Sequence, residues 1–213
     1  MTKPYDTAAL SRLDQQHFTH PWTVFDVFRE QGALPISRGD GCYIEETNGR
    51  RYLDAVGGLW CTNIGLGRTE MADAIAAQCR NLAFANPFVD MTNVPATLLA
   101  AKLAGLAPGD LNHVFFASSG SEANDTNIRL VRRYWDVKGQ PEKRVIIARK
   151  NGYHGSTMGG GSLGGMAPIH ATGGIIDGIV HIGQPHWWAE GGDMTPEEFG
   201  LLRARELEEK ILE

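Results

Sequence analysis

The sequence lacks the features of several protein classes. No apolar run approaches the length of a membrane-spanning helix, and the first residues, Met1–Tyr5, carry no apolar segment of the kind found in secretory signals. No cluster of lysine and arginine stands out, and the formal net charge is -5, which argues against a nucleic-acid partner. We therefore expect that the protein has no signal peptide, does not associate with a membrane and does not bind nucleic acid.

Cysteine is also scarce. Cys42, Cys61 and Cys79 are odd in number and widely spaced, which fits no zinc-binding pattern and is typical of reduced thiols in a cytoplasmic protein without a metal site. Glycine is abundant instead, with 26 of 213 residues, many of them between Gly152 and Gly178. This concentration predicts close backbone packing around a site.

The stretch FFASSGSEAND at residues 115–125 changes character along its length. The apolar run Val114–Ala117 predicts a strand, and a helix is predicted from Ser121. The residues predicted to share one face of this helix are Ala123, Asn127, Leu130, Val131 and Tyr134. Because the first N–H groups of a helix are unpaired and partly positive, the turn at Ser119, Gly120 and Ser121 suits a phosphate. The alternative is an ordinary helix after a strand, with Ser119 or Ser121 as the N-cap.

A second stretch, NGYHGST at residues 151–157, follows the apolar run Val145–Ala148. Two strands joined by one helix are expected to lie parallel in one sheet. Ligands of such sheets bind at the carboxyl ends of the strands, so the two loops should open at the same edge. A phosphate site on one loop and the ring of Tyr153 on the other suit a phosphorylated aromatic cofactor.

Other elements are predicted from pattern alone. Residues 33–54 should form an antiparallel meander with a hairpin turn at Asn48-Gly49. The glycine-rich residues 156–165 should form a short, tightly packed helix, and residues 175–182 a further strand. A helix should begin at Pro196, after Thr195. The leucines expected to form the buried stripe of the helix after Asn93 are Leu98, Leu99, Leu103 and Leu106.

These motifs together resemble the class III, or omega, aminotransferases of the fold-type I pyridoxal phosphate enzymes. The segments GLWCTNIGLGR, IRLVRRYWDVKGQPEK, SLGGM and DMTPEEFG are similar to the branch that acts on omega-amino acids or diamines with pyruvate. The resemblance covers essentially the whole chain, but only the amino-terminal half of such an enzyme. It implies an α/β fold, with an N-terminal segment and small meander at residues 1–60 and the first half of a large, mostly parallel-sheet cofactor domain at residues 61–213.

The resemblance also implies roles for individual residues. The residues expected to bind pyridoxal 5'-phosphate are Ser119, Gly120, Ser121, Tyr153, His154 and Gly155. The residues expected to contact substrate are Trp22, Trp60, Phe88 and Tyr153. Core packing is the alternative role for Trp60, and a tether onto the core is the alternative for the aromatic segment that contains Trp22.

In the family, the lysine that forms the Schiff base lies beyond the segment that this chain matches. We therefore expect no catalytic residue in the chain and no activity from these 213 residues alone. The complete enzyme is expected to be a homodimer with shared active sites that moves an amino group from an omega-amino acid, a diamine or an aliphatic or aryl amine to pyruvate by a ping-pong route. The alternatives are a non-catalytic, oligomer-forming polypeptide and, within the fold, an ornithine- or 4-aminobutyrate-type aminotransferase.

Overall fold

The computed structural model describes residues 5–213, in two compact units. The first unit ends at Thr97, and the second runs from Leu98 to Glu213. Residues 1–4 lie outside the described range. The prediction that the chain begins without a signal peptide falls largely on these residues. Within that range no helix is long and apolar enough to cross a membrane. The domain boundary after residue 60 stays a prediction.

The first unit contains the predicted meander, an antiparallel sheet in the order β1-β2-β3. Its strands are β1 (Ile36–Asp40), β2 (Tyr43–Glu46) and β3 (Arg51–Leu53). At the β2–β3 turn, Gly49 has a φ of 88°, a left-handed value that suits glycine, and the side-chain oxygen of Asn48 accepts from the backbone N–H of Arg50 at 2.9 Å. The helices are α1 (Thr7–His17), α2 (Phe25–Gln31), α3 (Gly57–Trp60), α4 (Thr69–Asn81) and α5 (Val94–Leu106), of which α5 continues into the second unit.

The second unit is built on a parallel strand pair, β4 (Ile146–Arg149) and β5 (Ile179–Ile182). Its helices are α6 (Gly120–Val137), α7 (Met158–Leu163), α8 (Ala167–Gly173), α9 (Trp187–Glu190) and α10 (Pro196–Leu212). The helix predicted at Pro196 is confirmed, because Thr195 and Glu198 form a reciprocal capping box at its start. Hydrogen bonds from the backbone and side chain of Thr195 hold the pKa of Glu198 below its usual value. The buried apolar side chains of this unit are Ile128, Ile179, Ile182 and Phe199.

The predicted strand at Val114–Ala117 is wrong for the described chain. This segment pairs with no strand of residues 5–213, and Phe115 and Phe116 are exposed. A strand forms only through hydrogen bonds to a neighbouring strand, and here β4 pairs with β5. The parallel pair therefore consists of β4 and β5, and not of residues 114–117 and β4 as predicted. The connection between β4 and β5 contains α7 and α8.

The helix predicted from Ser121 is confirmed as α6, but the face that carries its predicted apolar residues is not the buried one. Leu130, Val131 and Tyr134 are exposed, whereas Ile128 is buried. The buried face lies against α7 because the glycines of that short helix allow close approach: a Cβ built on Gly159 would lie 2.2 Å from Oδ1 of Asp125. The tightly packed glycine-rich helix is thus confirmed, and it decides which face of α6 is covered.

The leucine stripe of α5 differs from its prediction in the same way. Leu98, Leu99, Leu103 and Leu106 are all exposed, because nothing among residues 5–213 buries them. An apolar period predicts that a helix face prefers burial, but it does not supply the surface that covers that face.

Candidate functional site

The turn before α6 ends in an open helix terminus. Ser119 is the N-cap, and its Oγ accepts from the backbone N–H of Glu122 at 3.1 Å, so the capping alternative is correct for the local geometry. Within residues 5–213, the backbone N–H groups of Gly120 and Ser121 have no acceptor. A Cβ built on Gly120 would meet no atom within 4 Å. The first turn of the helix therefore has two N–H groups without an acceptor in the described chain and open space beside Gly120.

Two carboxylates near this terminus are engaged by protein donors. Oε2 of Glu122 accepts from the backbone N–H of Ser118 at 2.8 Å. Oδ1 of Asp125 accepts from Oγ1 of Thr157 at 2.8 Å and from the backbone N–H of Gly160 at 3.0 Å. Neither carboxylate takes the N–H groups at the start of the helix, which remain available to an anion.

The loop that carries Tyr153 is attached to the same helix. Nδ2 of Asn124 donates to the carbonyl of His154 at 2.7 Å, and Oγ of Ser121 accepts from the backbone N–H of Ser156 at 3.1 Å. Gly155 has a φ of 135°, and a Cβ there would lie 2.5 Å from Oγ of Ser121. Only glycine fits this crossing, so the structure brings the serine turn and the tyrosine loop together.

The predicted site residues of the second unit therefore form one cluster. Ser119, Gly120 and Ser121 lie at the helix start, and His154 and Gly155 lie beside it, with their contacts to α6 as described. Tyr153, on the same loop, is 56% exposed.

The predicted substrate residues of the first unit, Trp22, Trp60 and Phe88, are exposed by 65%, 78% and 74%. Trp22 and Trp60 have left-handed φ values of 58° and 66°, an uncommon conformation for bulky residues. Trp60 is therefore not a core residue of its unit, which was the alternative role considered for it.

The sequence prediction missed the residues that join the two parts of the cluster. Asn124 and Asp125 follow Ser121 by three and four positions, so the three side chains share one helix face. Their partners on the loop and α7 are the carbonyl of His154 and the donors of Thr157 and Gly160. The i, i+3, i+4 spacing of three small polar residues was the signal that could have indicated this face.

A model of the class-III aminotransferase family matches residues 26–185. The chain belongs to the class-III aminotransferases. The resemblance inferred from the motifs and the α/β fold-type I class are thereby confirmed. Members of this family depend on pyridoxal phosphate, which also confirms the expected cofactor at the level of the family.

Individual relatives agree with this assignment. The chain is 51% identical over 202 residues to putrescine–pyruvate aminotransferase of Pseudomonas aeruginosa, covering 94% of this chain and 44% of that protein. It resembles the crystal structure of an (S)-enantioselective omega-transaminase from Thermomicrobium roseum with a TM-score of 0.93 and 39% identity, covering 97% of this chain and 46% of that one. An omega-transaminase from Pseudomonas jessenii, solved in complex with PMP, gives a TM-score of 0.92 and 36% identity, covering 95% of this chain and 45% of that one. The chain thus spans a little under half the length of these relatives.

The geometry of the second unit fits the family's cofactor. The helix start offers two unpaired N–H groups, and the hydroxyls of Ser119 and Ser121 each accept one hydrogen bond while keeping a proton to donate. Backbone N–H groups and hydroxyls are donors of the kind that bind a phosphate, and an exposed tyrosine on the attached loop suits a flat heterocycle.

Proposed function

We propose that the complete enzyme transfers an amino group from a diamine, an omega-amino acid or a related amine to pyruvate by a ping-pong route. The observation that carries the proposal is the joining of an open helix terminus to the Tyr153 loop through Ser121, whose Oγ lies 3.1 Å from the backbone nitrogen of Ser156. The similarity to a putrescine–pyruvate aminotransferase supports the substrate class.

The role of this chain in that reaction is to bind and orient the cofactor. Pyridoxal phosphate, when bound, supplies an electron sink for bond changes at the amine carbon. The N–H groups of Gly120 and Ser121 and the hydroxyls of Ser119 and Ser121 would hold its phosphate, and the positive end of α6 would add about 0.3–1 kcal/mol. Tyr153 would contact its ring, for roughly 0.5–1.5 kcal/mol beyond burial, and His154 and Gly155 fix the loop that carries this tyrosine.

The first unit supplies the amine-binding part of the proposal. Trp22, Trp60 and Phe88 present exposed aromatic surface that suits the carbon chain of an amine. The exposed loop that carries Phe88 supports a homodimer in which active sites are shared. Cys42, Cys61 and Cys79 are exposed and form no disulfide among residues 5–213, which supports a cytoplasmic location.

Substitution of Gly120 in the complete enzyme tests the phosphate assignment. A Cβ built at this position meets no protein atom within 4 Å, so Gly120→Val should fold with a thermal midpoint close to that of the natural enzyme. Its branched side chain fills the space of the phosphate, so retention of cofactor should be abolished. Gly120→Ala is the matched control and should lose less. Absorbance of bound cofactor after gel filtration measures both, and normal occupancy in Gly120→Val would refute the assignment.

A further inference from the structure

A backbone segment outside α6, residues 164–165, also holds the Tyr153 loop. The N–H of Asn151 donates to the carbonyl of Gly165, and the N–H of Gly165 donates to the carbonyl of Gly152, both at 2.9 Å. A Cβ on Gly165 would lie 2.2 Å from the carbonyl oxygen of Arg149, so this segment is pressed against the loop. The position of residues 164–165 therefore sets the position of residues 151–152, directly before Tyr153.

Two histidines fix that segment from two different elements. Nε2 of His170 on α8 lies 2.6 Å from the carbonyl oxygen of Gly164, and Nε2 of His181 on β5 lies 2.8 Å from the same oxygen. The two rings are 5.1 Å apart, and both histidines are only partly exposed. Because a carbonyl oxygen has two lone pairs and no proton, both imidazoles must donate an N–H from Nε2. Gly164 itself is buried, so its carbonyl depends on these donors.

We infer that His170 and His181 are positioning residues for the cofactor ring, acting through Gly164, Gly165 and the Tyr153 loop. The inference rests on the proposed function for the link to the cofactor. The loop also needs this support for a conformational reason, because Asn151 has a left-handed φ of 61°. Such a conformation persists where surrounding hydrogen bonds hold it in place.

The test replaces each histidine in the complete enzyme and measures hydrogen–deuterium exchange in peptides that cover residues 150–165, without added cofactor. His170→Leu and His181→Leu remove the donor and retain an apolar side chain. Each should speed exchange of the Asn151 and Gly165 amides about fivefold, as expected for one lost hydrogen bond. Glutamine carries an N–H near the place of imidazole Nε2, so His170→Gln and His181→Gln should restore slow exchange.

The control is His113→Leu, a histidine of the same unit whose side chain has no hydrogen-bond partner within residues 5–213. It should leave exchange at residues 150–165 unchanged. Unchanged exchange in both leucine variants would overturn the inference. Failure of the glutamine variants to restore slow exchange would also overturn it, as would an equal acceleration of exchange in peptides of α10. If a leucine variant does not fold, the asparagine variants, whose shorter amide reaches less far, take its place against glutamine.

A second readout tests the link to the cofactor. Pyridoxal phosphate should leave the leucine variants about fivefold faster than the natural enzyme and leave the glutamine variants at close to the natural rate. Unchanged release from a variant with a loosened loop would overturn the positioning role. Failure of the unsubstituted enzyme to bind pyridoxal phosphate would instead refute the proposed function. The exchange experiment would still test whether the two histidines hold the loop, because it uses no cofactor.

Discussion

The two units carry their predicted site residues in opposite ways. Around Tyr153, side chains of α6 and the backbone of Gly164–Gly165 both hold the loop by short hydrogen bonds. In the first unit, Trp22 and Trp60 are exposed on left-handed backbone. The difference indicates that the residues proposed to bind the cofactor are organised by close backbone packing within their own unit. The exposed aromatics of the first unit that we propose to contact the amine should tolerate substitution without loss of the fold.

The largest expected effect is at Gly165. Gly165→Ala places a Cβ 2.2 Å from the carbonyl oxygen of Arg149 and 2.5 Å from Cα of Lys150. Because both contacts are with backbone, the loop must shift, and the free energy of unfolding should fall by about 3 kcal/mol. Urea unfolding of the complete enzyme measures it. The control is Gly200→Ala in α10, where a Cβ meets nothing within 4 Å, and stability should rise by about 0.5–1 kcal/mol. Similar effects at both sites would contradict tight packing at the loop.

Asp125 should show the next largest effect. Asp125→Ala leaves the N–H of Gly160 and the hydroxyl of Thr157 without the carboxylate that they share, so the free energy of unfolding should fall by about 2 kcal/mol. Asp125→Asn keeps one carbonyl acceptor and should cost less. Chemical denaturation compares the two, and equal losses would show that the charge, and not the acceptor, holds α7 against α6.

Substitutions of Tyr153 test the proposed stacking. Tyr153→Ala should weaken cofactor binding about tenfold, which corresponds to ~1.4 kcal/mol, while Tyr153→Phe keeps the ring and most of the affinity. Equilibrium titration of the complete enzyme with pyridoxal phosphate measures both constants. Equal weakening in the two variants would assign the effect to the hydroxyl.

The smallest expected effect lies in the first unit, at Trp60. Its φ of 66° is unfavourable for a residue with a Cβ, and its side chain is mostly exposed. Trp60→Gly should therefore be more stable than Trp60→Ala by about 1 kcal/mol, the cost of left-handed backbone for an L-residue. Both variants should change the specificity constant for the amine. A glycine variant that is less stable than the alanine variant would show that packing, and not exposure, governs this position.

Local chemistry made several elements predictable from sequence. The meander follows from alternating strands around Asn48-Gly49, and α10 begins where Thr195 and Glu198 can cap each other. The N-cap at Ser119 belongs to the same class, because a cap depends on residues within one turn of each other. These features need only neighbours in the chain, so the sequence determines them by itself.

Tertiary structure decided the features that depend on distant partners. The segment Val114–Ala117 has strand composition but no ladder within residues 5–213, and α6 buries Ile128 because the glycines of α7 reach that face. The shared acceptor of His170 and His181 is the carbonyl of Gly164, a backbone group that no side-chain pattern identifies. Hydrophobic periodicity predicts which face of an element prefers burial. The element that covers this face depends on how the chain folds back on itself, and so does the backbone carbonyl that accepts a hydrogen bond from a distant side chain.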